Sequence, residues 1–243
     1  MKTKIIRLES VDSTNRYLRE YKSMTDADEM TVVVADYQEA GKGQGTHTWE
    51  SEAGKNLLFS IQVCPHWVPV ARQFLLSMAG GLALKDALGE YADGITLKWP
   101  NDVYWNDKKI SGTLIETAVD SRGIKRCIFG MGVNINQTHF VSDAPNPVSL
   151  AQIVGHEVNR EEVLQKILRA FEGYYELLRR ADYQDVAGLY HLSLYRRKGF
   201  HWYEDNDGKF EGAFVEVEDD GHLILHDRQG VIRSYAFGEL KFL

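Results

Sequence analysis

The sequence predicts an α/β fold in which a mixed sheet is covered by helices and a small antiparallel barrel follows at the C-terminal end. Three observations carry this expectation. Strand-length runs of β-branched or apolar residues alternate with amphipathic helical segments up to about residue 195. After Gly199 the texture changes to strand-length pieces separated by DNDG, DDG and DRQG, which is how a small barrel is punctuated. The chain has 243 residues, 44% of them hydrophobic and 26% charged, enough for one substantial core and a small second domain. A boundary is expected near Arg197, giving domains over residues 1–196 and 197–243.

In chain order, DSTNRYLREY between Asp12 and Tyr21 places three N-cap residue types ahead of apolar positions 17, 18 and 21, as a short amphipathic helix would. Residues 31–37 (TVVVADY) and 56–64 (NLLFSIQVC) are strand-length runs that enclose QEAGKGQGTHTWESEAGK, a long exposed loop. A helix follows from about Val70 to Tyr91, then short strands at 95–98 and 103–105 and a turn at NDKK. A hairpin then joins 110–119 to 124–131 through DSRG. Residues 160–180 repeat apolar positions at spacings of three and four, and a second helical stretch runs to about Tyr195.

Composition narrows the functional classes. A net charge of −7 works against general nucleic-acid binding, which needs clustered Lys and Arg to neutralise phosphates. No run approaches the ~18 apolar residues of a membrane span, and the apolar run in MKTKIIRLES is too short for a secretory signal. A cytoplasmic location, with no membrane partner, is therefore the expectation. Cys64 and Cys127 lie far apart and have no histidine at metal-ligand spacing, so they read as small apolar fillers.

Four segments offer chemistry. In the loop from Gln38 to Trp49, Gly41, Gly43 and Gly45 let the backbone approach a ligand, and Lys42 adds a mobile positive charge; a plain connection is the alternative. The loop is neither a dinucleotide fingerprint nor a Walker loop. In Lys98-Trp99-Pro100-Asn101-Asp102, Pro100 ends regular pairing, so Asn101 and Asp102 project from a sharp turn. Lys109 directly precedes an apolar strand and Gly112, which suggests an ammonium held against a sheet face; an ordinary exposed hairpin lysine is the alternative. Asn134, at the end of Gly130-Met131-Gly132-Val133-Asn134, suits a phosphate or ribose, or simply forms a turn. The hydroxyls of Ser13-Thr14-Asn15 suit a small polar ligand, or simply cap the helix.

Taken in order, STN, Q-x-A-G-[KR]-G-Q before a Trp, KWPND, KKISGTLIE and GMGVNIN resemble the biotin protein ligases, from about Ser10 to Asn136. The resemblance implies a class II synthetase-like biotin/lipoate ligase catalytic domain, a small C-terminal SH3-like barrel, and a two-step activity. Biotin is activated with ATP and Mg²⁺ as biotinyl-5'-AMP and then transferred to a lysine of a biotin carboxyl carrier protein. It places Ser13, Thr14, Asn15 and Gln38 at the biotin ureido ring, and Gly41, Lys42, Gly43 and Gln44 in a loop that orders over biotin and the acyl-adenylate. Trp49 matches the aromatic that stacks on adenine, while Lys98, Asn101, Gly112 and Asn134 match positions lining the nucleotide or its metal-bound phosphates. Lys109 matches the essential lysine, with Lys109 and Gly112 also bordering biotin and Lys42 assisting as a second cation. No residue is assigned as a metal ligand, and a homodimer through the sheet edge is left open.

Two features depart from the family pattern. Many relatives carry more arginines in the loop, whereas Gln44, Gly45 and Thr46 follow Gly43 here. The bacterial bifunctional relatives carry an N-terminal helix-turn-helix, whereas this chain enters its ligase motifs by residue 13, so repression of biotin genes is not expected. Two other readings are a lipoate or octanoate protein ligase, separable by ligand specificity, and a non-enzymatic biotin-binding regulatory module, separable by ATP turnover.

Overall fold

Side-chain alternation along the strands decides the architecture, because each central strand must serve two different faces. The computed structural model describes residues 1–21, 28–43, 45, 48–142 and 146–243. Seven strands form the larger sheet: β1 (Lys2–Val11), β2 (Glu29–Gln38), β3 (Leu57–Val63), β4 (Ile95–Lys98), β5 (Asp102–Trp105), β6 (Lys108–Asp120) and β7 (Gly123–Val133). Their order is β1-β2-β3-β7-β6-β5-β4, with β1 and β2 parallel and the remaining pairs antiparallel, so the sheet is mixed as expected.

On one face, Leu57, Phe59, Ile61 and Val63 of β3 and Cys127, Phe129, Met131 and Val133 of β7 join a single hydrophobic core. Three helices cover that face: α2 (Phe74–Gly89), α4 (Arg160–Arg179) and α5 (Tyr183–Leu192). α2 is buried nearly all round because it lies between the sheet and the other two helices. At Gly80 an added Cβ would stand 3.2 Å from the Phe129 ring, so the missing side chain lets the helix approach the sheet. α4 shows the amphipathic spacing read from sequence, with Val163, Leu164, Ile167, Leu168, Phe171, Tyr175 and Leu178 buried. The Asn159 side chain caps it by accepting from the N–H groups of Glu161 and Glu162, an interaction worth about 1 kcal/mol.

The opposite face is only half covered. There α1 (Thr14–Glu20) packs Leu18 against Val33 and Ile128, and the rest of the face carries polar side chains and glycines. The second sheet, β8 (Phe200–Asp205), β9 (Gly208–Val217), β10 (Leu223–Asp227), β11 (Ile232–Tyr235) and β12 (Lys241–Phe242), is antiparallel in the order β11-β10-β9-β8-β12. Its turns fall at the DNDG, DDG and DRQG segments.

Several elements differ from the sequence reading. β1 was not expected: as an edge strand with little burial on either face it lacks an apolar signature. The short α3 (Leu150–Val154), closed by a Ser149–Gln152 capping box, was also not read. The helix expected from Val70 begins as a 3₁₀ turn over Val70–Arg72 before α2 starts at Phe74. The turn at NDKK is confined to Asn106 and Asp107, so Lys108 and Lys109 lie in β6. No helix among the described residues is long and apolar enough to cross a membrane. Burial pushes the Cys127 thiol far above its ordinary range.

Candidate active site

Register across the open face lays down a glycine floor. Asp102 pairs with Gly112, Gly112 with Gly132, and Gly132 with Leu58; two residues along, Leu114 pairs with Gly130 and Gly130 with Ser60. Glycine inside a strand weakens it and marks a place where another group approaches the backbone closely. Two groups do so here. A Cβ at Gly132 would lie 2.4 Å from Cε2 of Trp49, and one at Gly130 would lie 2.3 Å from Oδ1 of Asn15. The floor bounds a cavity of about 1030 Å³ whose lining includes Ser13, Thr14, Asn15, Gln38, Lys42, Gly43, Trp49, Lys98, Asn101, Lys109, Gly112 and Asn134. Nearly every residue singled out in the sequence therefore faces one space. Gly41 is not among the lining residues, and Gln44 falls outside the described residues.

At one end of the cavity Ser13, Thr14 and Asn15 begin α1. Ser13 occupies the N-cap position with extended backbone but accepts no side-chain cap bond, so capping does not explain the motif. Instead, Thr14 donates to Gln38 Oε1 from both its N–H (2.8 Å) and its hydroxyl (3.0 Å). Ser60 Oγ lies 2.6 Å from Thr14 Oγ1 and 2.6 Å from Asn15 Oδ1, and Asn15 Nδ2 donates to the Leu114 carbonyl at 3.3 Å. Thr14, Asn15 and Ser60 are all buried, so this network is fixed rather than adjustable. With Oε1 occupied, Gln38 retains its amide N–H groups as donors. A Cβ at Gly41 would stand 3.3 Å from Gln38 Nε2 and 3.1 Å from the Trp49 carbonyl, so Gly41 lets the loop pass between them.

The Gly-rich loop returns on itself through a bridge between Lys42 and Thr48 and a 3.0 Å bond from Trp49 N–H to the Gly41 carbonyl. Glu50 anchors its far side by accepting from the N–H groups of Val141 and Ser142 at 2.9 and 2.8 Å. Burial alone would raise the Glu50 pKa, but bonds from Ser142, Val141 and Gln137 together hold it below the usual carboxylate value. Trp49 is thereby pressed onto Gly132 and Gly112.

The middle of the cavity holds an ion pair. Lys109 Nζ lies 2.6 Å from Asp102 Oδ1, with the two side chains 26% and 19% exposed, and 5.8 Å from the Trp49 ring centroid. The Lys109 backbone is held on both sides, its N–H donating to the Asn146 carbonyl and its own carbonyl accepting from Val148 N–H, each at 2.9 Å. The expected ammonium against a sheet face is thus present. Asn101 ties the preceding turn to β6, donating from Nδ2 to the Thr113 carbonyl at 2.6 Å.

At the other end, Lys98 donates to the Tyr104 hydroxyl at 2.9 Å and lies over the rings of Tyr104 (4.6 Å) and Phe242 (5.1 Å). Burial lowers its pKa, nearby Asp102 opposes that shift, and Lys109 and Arg196 reinforce it. Three buried polar atoms on the cavity wall, Trp49 Nε1, Thr113 Oγ1 and Asn134 Oδ1, have no protein partner. Orphaned donors and acceptors at a cavity mark where a polar ligand completes the bonding. Asn134 uses its Nδ2 on the Val148 carbonyl at 3.2 Å, and its Oδ1 has no protein partner.

Sequence reasoning missed Ser60, Tyr104, Tyr195, Arg196 and Phe242. Ser60 was findable: Leu58, Ser60 and Gln62 alternate on β3, and a polar pair on a fully buried strand signals a polar face. The other four carried no motif.

Comparison with known proteins agrees with this geometry. Residues 8–134 match the family described as Biotin/lipoate A/B protein ligase. The biotin–[acetyl-CoA-carboxylase] ligase of Mycobacterium tuberculosis is 30% identical over 198 residues, covering 80% of this chain and 72% of that protein. The bifunctional ligase/repressor BirA of Bacillus spizizenii is 29% identical over 233 residues, covering 93% of this chain and 70% of that protein. Among solved structures, the biotin protein ligase of Aquifex aeolicus in complex with biotin and ATP superposes with a TM-score of 0.80 at 27% identity, covering 99% of each chain.

Proposed function

This chain belongs to the biotin/lipoate A/B protein ligase family, and from that premise we propose that it is an ATP-dependent biotin protein ligase that forms biotinyl-5'-AMP and passes the biotinyl group to a lysine of a biotin carboxyl carrier protein. The observation that carries this reading is one cavity joining a fixed polar network, a sheet-held lysine and three orphaned polar atoms.

Each part suits one portion of the substrates. A cyclic urea offers one carbonyl and two N–H groups, and Gln38, Ser13, Thr14 and Asn15 supply both donors and acceptors to meet them. Trp49 offers an indole for adenine to stack on. Lys98, Asn101, Gly112 and Asn134 line the nucleotide portion, with Gly112 leaving room beside Lys109.

In the first step an oxygen of the biotin carboxylate bonds to the α-phosphorus of ATP, the bond from that phosphorus to the bridging oxygen breaks, and pyrophosphate leaves. Two anions must approach, so Lys109 and the mobile Lys42 offset their repulsion. Asp102, 2.6 Å from Lys109, holds the ammonium in place beforehand. Mg²⁺ bound with ATP would neutralise phosphate charge, and the Asp102 carboxylate, which lines the cavity, is the hard oxygen that would hold it. In the second step the neutral acceptor amine bonds to the acyl carbon, the C–O bond to AMP breaks, AMP leaves, and the surplus amine proton passes to water. Lys109 holds the acyl oxygen as charge develops, a role worth about 3–4 kcal/mol for one preorganised donor. The loop carrying Gly41, Lys42, Gly43 and Gln44 excludes water from the acyl-adenylate.

ATP–pyrophosphate exchange tests the reading. Exchange is expected with biotin and Mg²⁺ and not with lipoate or without an acid; equal exchange with lipoate would reassign the substrate.

A further inference from the structure

A second concavity, of about 610 Å³, opens beside the first and shares Asp107, Tyr195 and Arg196 with it. Its remaining lining is Leu192, Leu194, Arg197, Lys198 and His201, so with Arg196 it holds three fixed cations against one carboxylate. Asp107, the one carboxylate among them, already accepts from the Tyr195 hydroxyl at 2.6 Å. Net charge is −7, and most arginines among the described residues meet carboxylates, as Arg7 does Glu161 at 2.8 Å and Arg228 does Glu211 at 3.0 Å, while a few such as Arg126 do not. Among the described residues, neither Arg197 nor Lys198 lies within ion-pair distance of a carboxylate, and neighbouring Lys108 is also without one.

Arg196 has a different duty. It donates to backbone carbonyls, that of Leu243 at 2.6 Å and of Trp202 at 3.4 Å, and so fixes the shared rim between the two concavities. The segment that carries these cations is held in shape by backbone with positive φ at Arg196 (57°) and Gly199 (81°). Arg197 and Lys198 carry their charges on long side chains without a carboxylate partner among the described residues, an arrangement suited to meeting a surface that bears several carboxylates.

We infer that Arg197, Lys198 and His201 form a docking surface for an acidic face of the acceptor protein, which delivers its target lysine over Tyr195 and Arg196 into the cavity. The inference rests on the acyl-adenylate reading above and adds where the second substrate sits. Chemistry favours this rim. The incoming lysine must lose its proton to attack, and the cations of Lys98, Lys109 and Arg196 lower the pKa of an ammonium brought among them. Those same cations repel the lysine, so attraction must come from other groups on the acceptor, and carboxylates meeting Arg197 and Lys198 supply it. Rim charges of this kind act chiefly on association and its salt dependence.

The test separates the two half-reactions in the full chain. Arg197→Glu/Lys198→Glu is compared with wild type and with Arg122→Glu/Lys125→Glu, which makes the same charge change at the tip of the β6–β7 hairpin. Three rates are read: ATP–pyrophosphate exchange with biotin, capture of the acyl group by hydroxylamine, and biotinylation of a purified biotin carboxyl carrier domain at low and high salt. The expected result is exchange and hydroxylamine capture within twofold of wild type, with kcat/KM for the carrier domain falling at least tenfold at low salt in the rim variant alone. The difference should narrow as salt rises. Carrier kcat/KM within twofold of wild type, or an equal fall in the hairpin-tip variant, would overturn the docking surface. Loss of hydroxylamine capture in the rim variant would also overturn it, because the defect would then lie in the first step. Absence of exchange in the wild-type chain would instead remove the acyl-adenylate reading.

Discussion

Lys109 and Lys98 differ in how they are held, and the difference sets what each variant should do. Lys109 is fixed by backbone bonds on both sides and by Asp102 at 2.6 Å, so its ammonium is in place before any substrate arrives. Replacing it with Gln keeps the strand but removes the charge that offsets two approaching anions. Exchange should fall about 100- to 1000-fold, matching the loss of one preorganised electrostatic donor. The melting curve should remain cooperative, and wild-type exchange in Lys109→Gln would mean that another group carries the step. Lys98 is instead half-buried against the rings of Tyr104 and Phe242, and that burial makes its proton easier to lose than that of a solvated lysine. Since phosphate binding needs the charged form, KM for ATP should rise with pH earlier than a solvated lysine would permit. Lys98→Arg keeps its charge throughout that range. Measuring KM for ATP from neutral to alkaline pH in both proteins checks this: identical alkaline limbs would detach Lys98 from the phosphates.

Strands β6 and β7 act together as the floor, and their glycines are tightly specified. At Gly130 an added methyl would stand 2.3 Å from Asn15 Oδ1, the atom that also meets Ser60 at 2.6 Å. Gly130→Ala therefore pushes the first turn of α1 away from the sheet and disrupts the network around Thr14 and Gln38. Overpacking of this sort costs about 1–3 kcal/mol. KM for biotin should rise at least tenfold while maximal exchange at saturating biotin and ATP changes much less, because Lys109 lies on a different part of β6. A biotin KM equal to wild type would show that α1 does not border the biotin site.

At the scale of the molecule, we propose residues 1–196 and 197–243 as two domains that share one core. Tyr203, Val217, Leu223, Leu225 and Tyr235 of the second sheet belong to the same hydrophobic cluster as α2 and the large sheet. Trp99 Nε1 donates to the Gly221 carbonyl at 2.9 Å, and Phe237 packs edge-on against Trp99 and Phe74. A chain ending at Arg197 exposes Phe74 and Trp99 and removes Phe242 from above Lys98. It should still fold, with a lower denaturation midpoint, and should keep biotin binding while its KM for ATP rises at least tenfold. Urea melts, biotin titration and exchange kinetics measure the three effects. An unchanged KM for ATP would mean that the second sheet does not serve the nucleotide end.

The sequence by itself determined most of the elements and singled out most of the residues that line the cavity, because both are written locally. Period-two runs such as NLLFSIQV, the amphipathic spacing of α4, and turns such as DNDG express side-chain direction and backbone preference within a few residues. β1 escaped for the same reason: a solvated edge strand has no buried face to pattern it. Tertiary structure alone decided what the motifs meet. Whether Ser13-Thr14-Asn15 cap a helix or bind a ligand depends on Ser60 and Gln38, which lie on other strands. Gly112 and Gly132 become one floor only through the β6–β7 register, and Asp102 meets Lys109 only because β5 pairs with β6. Register between strands is set by a hydrogen-bond ladder across separate segments, and shifting it by one residue turns every side chain to the other face. No local pattern carries that information. The walls that Phe242 and Arg196 add to the cavity likewise exist only once the two sheets have packed together.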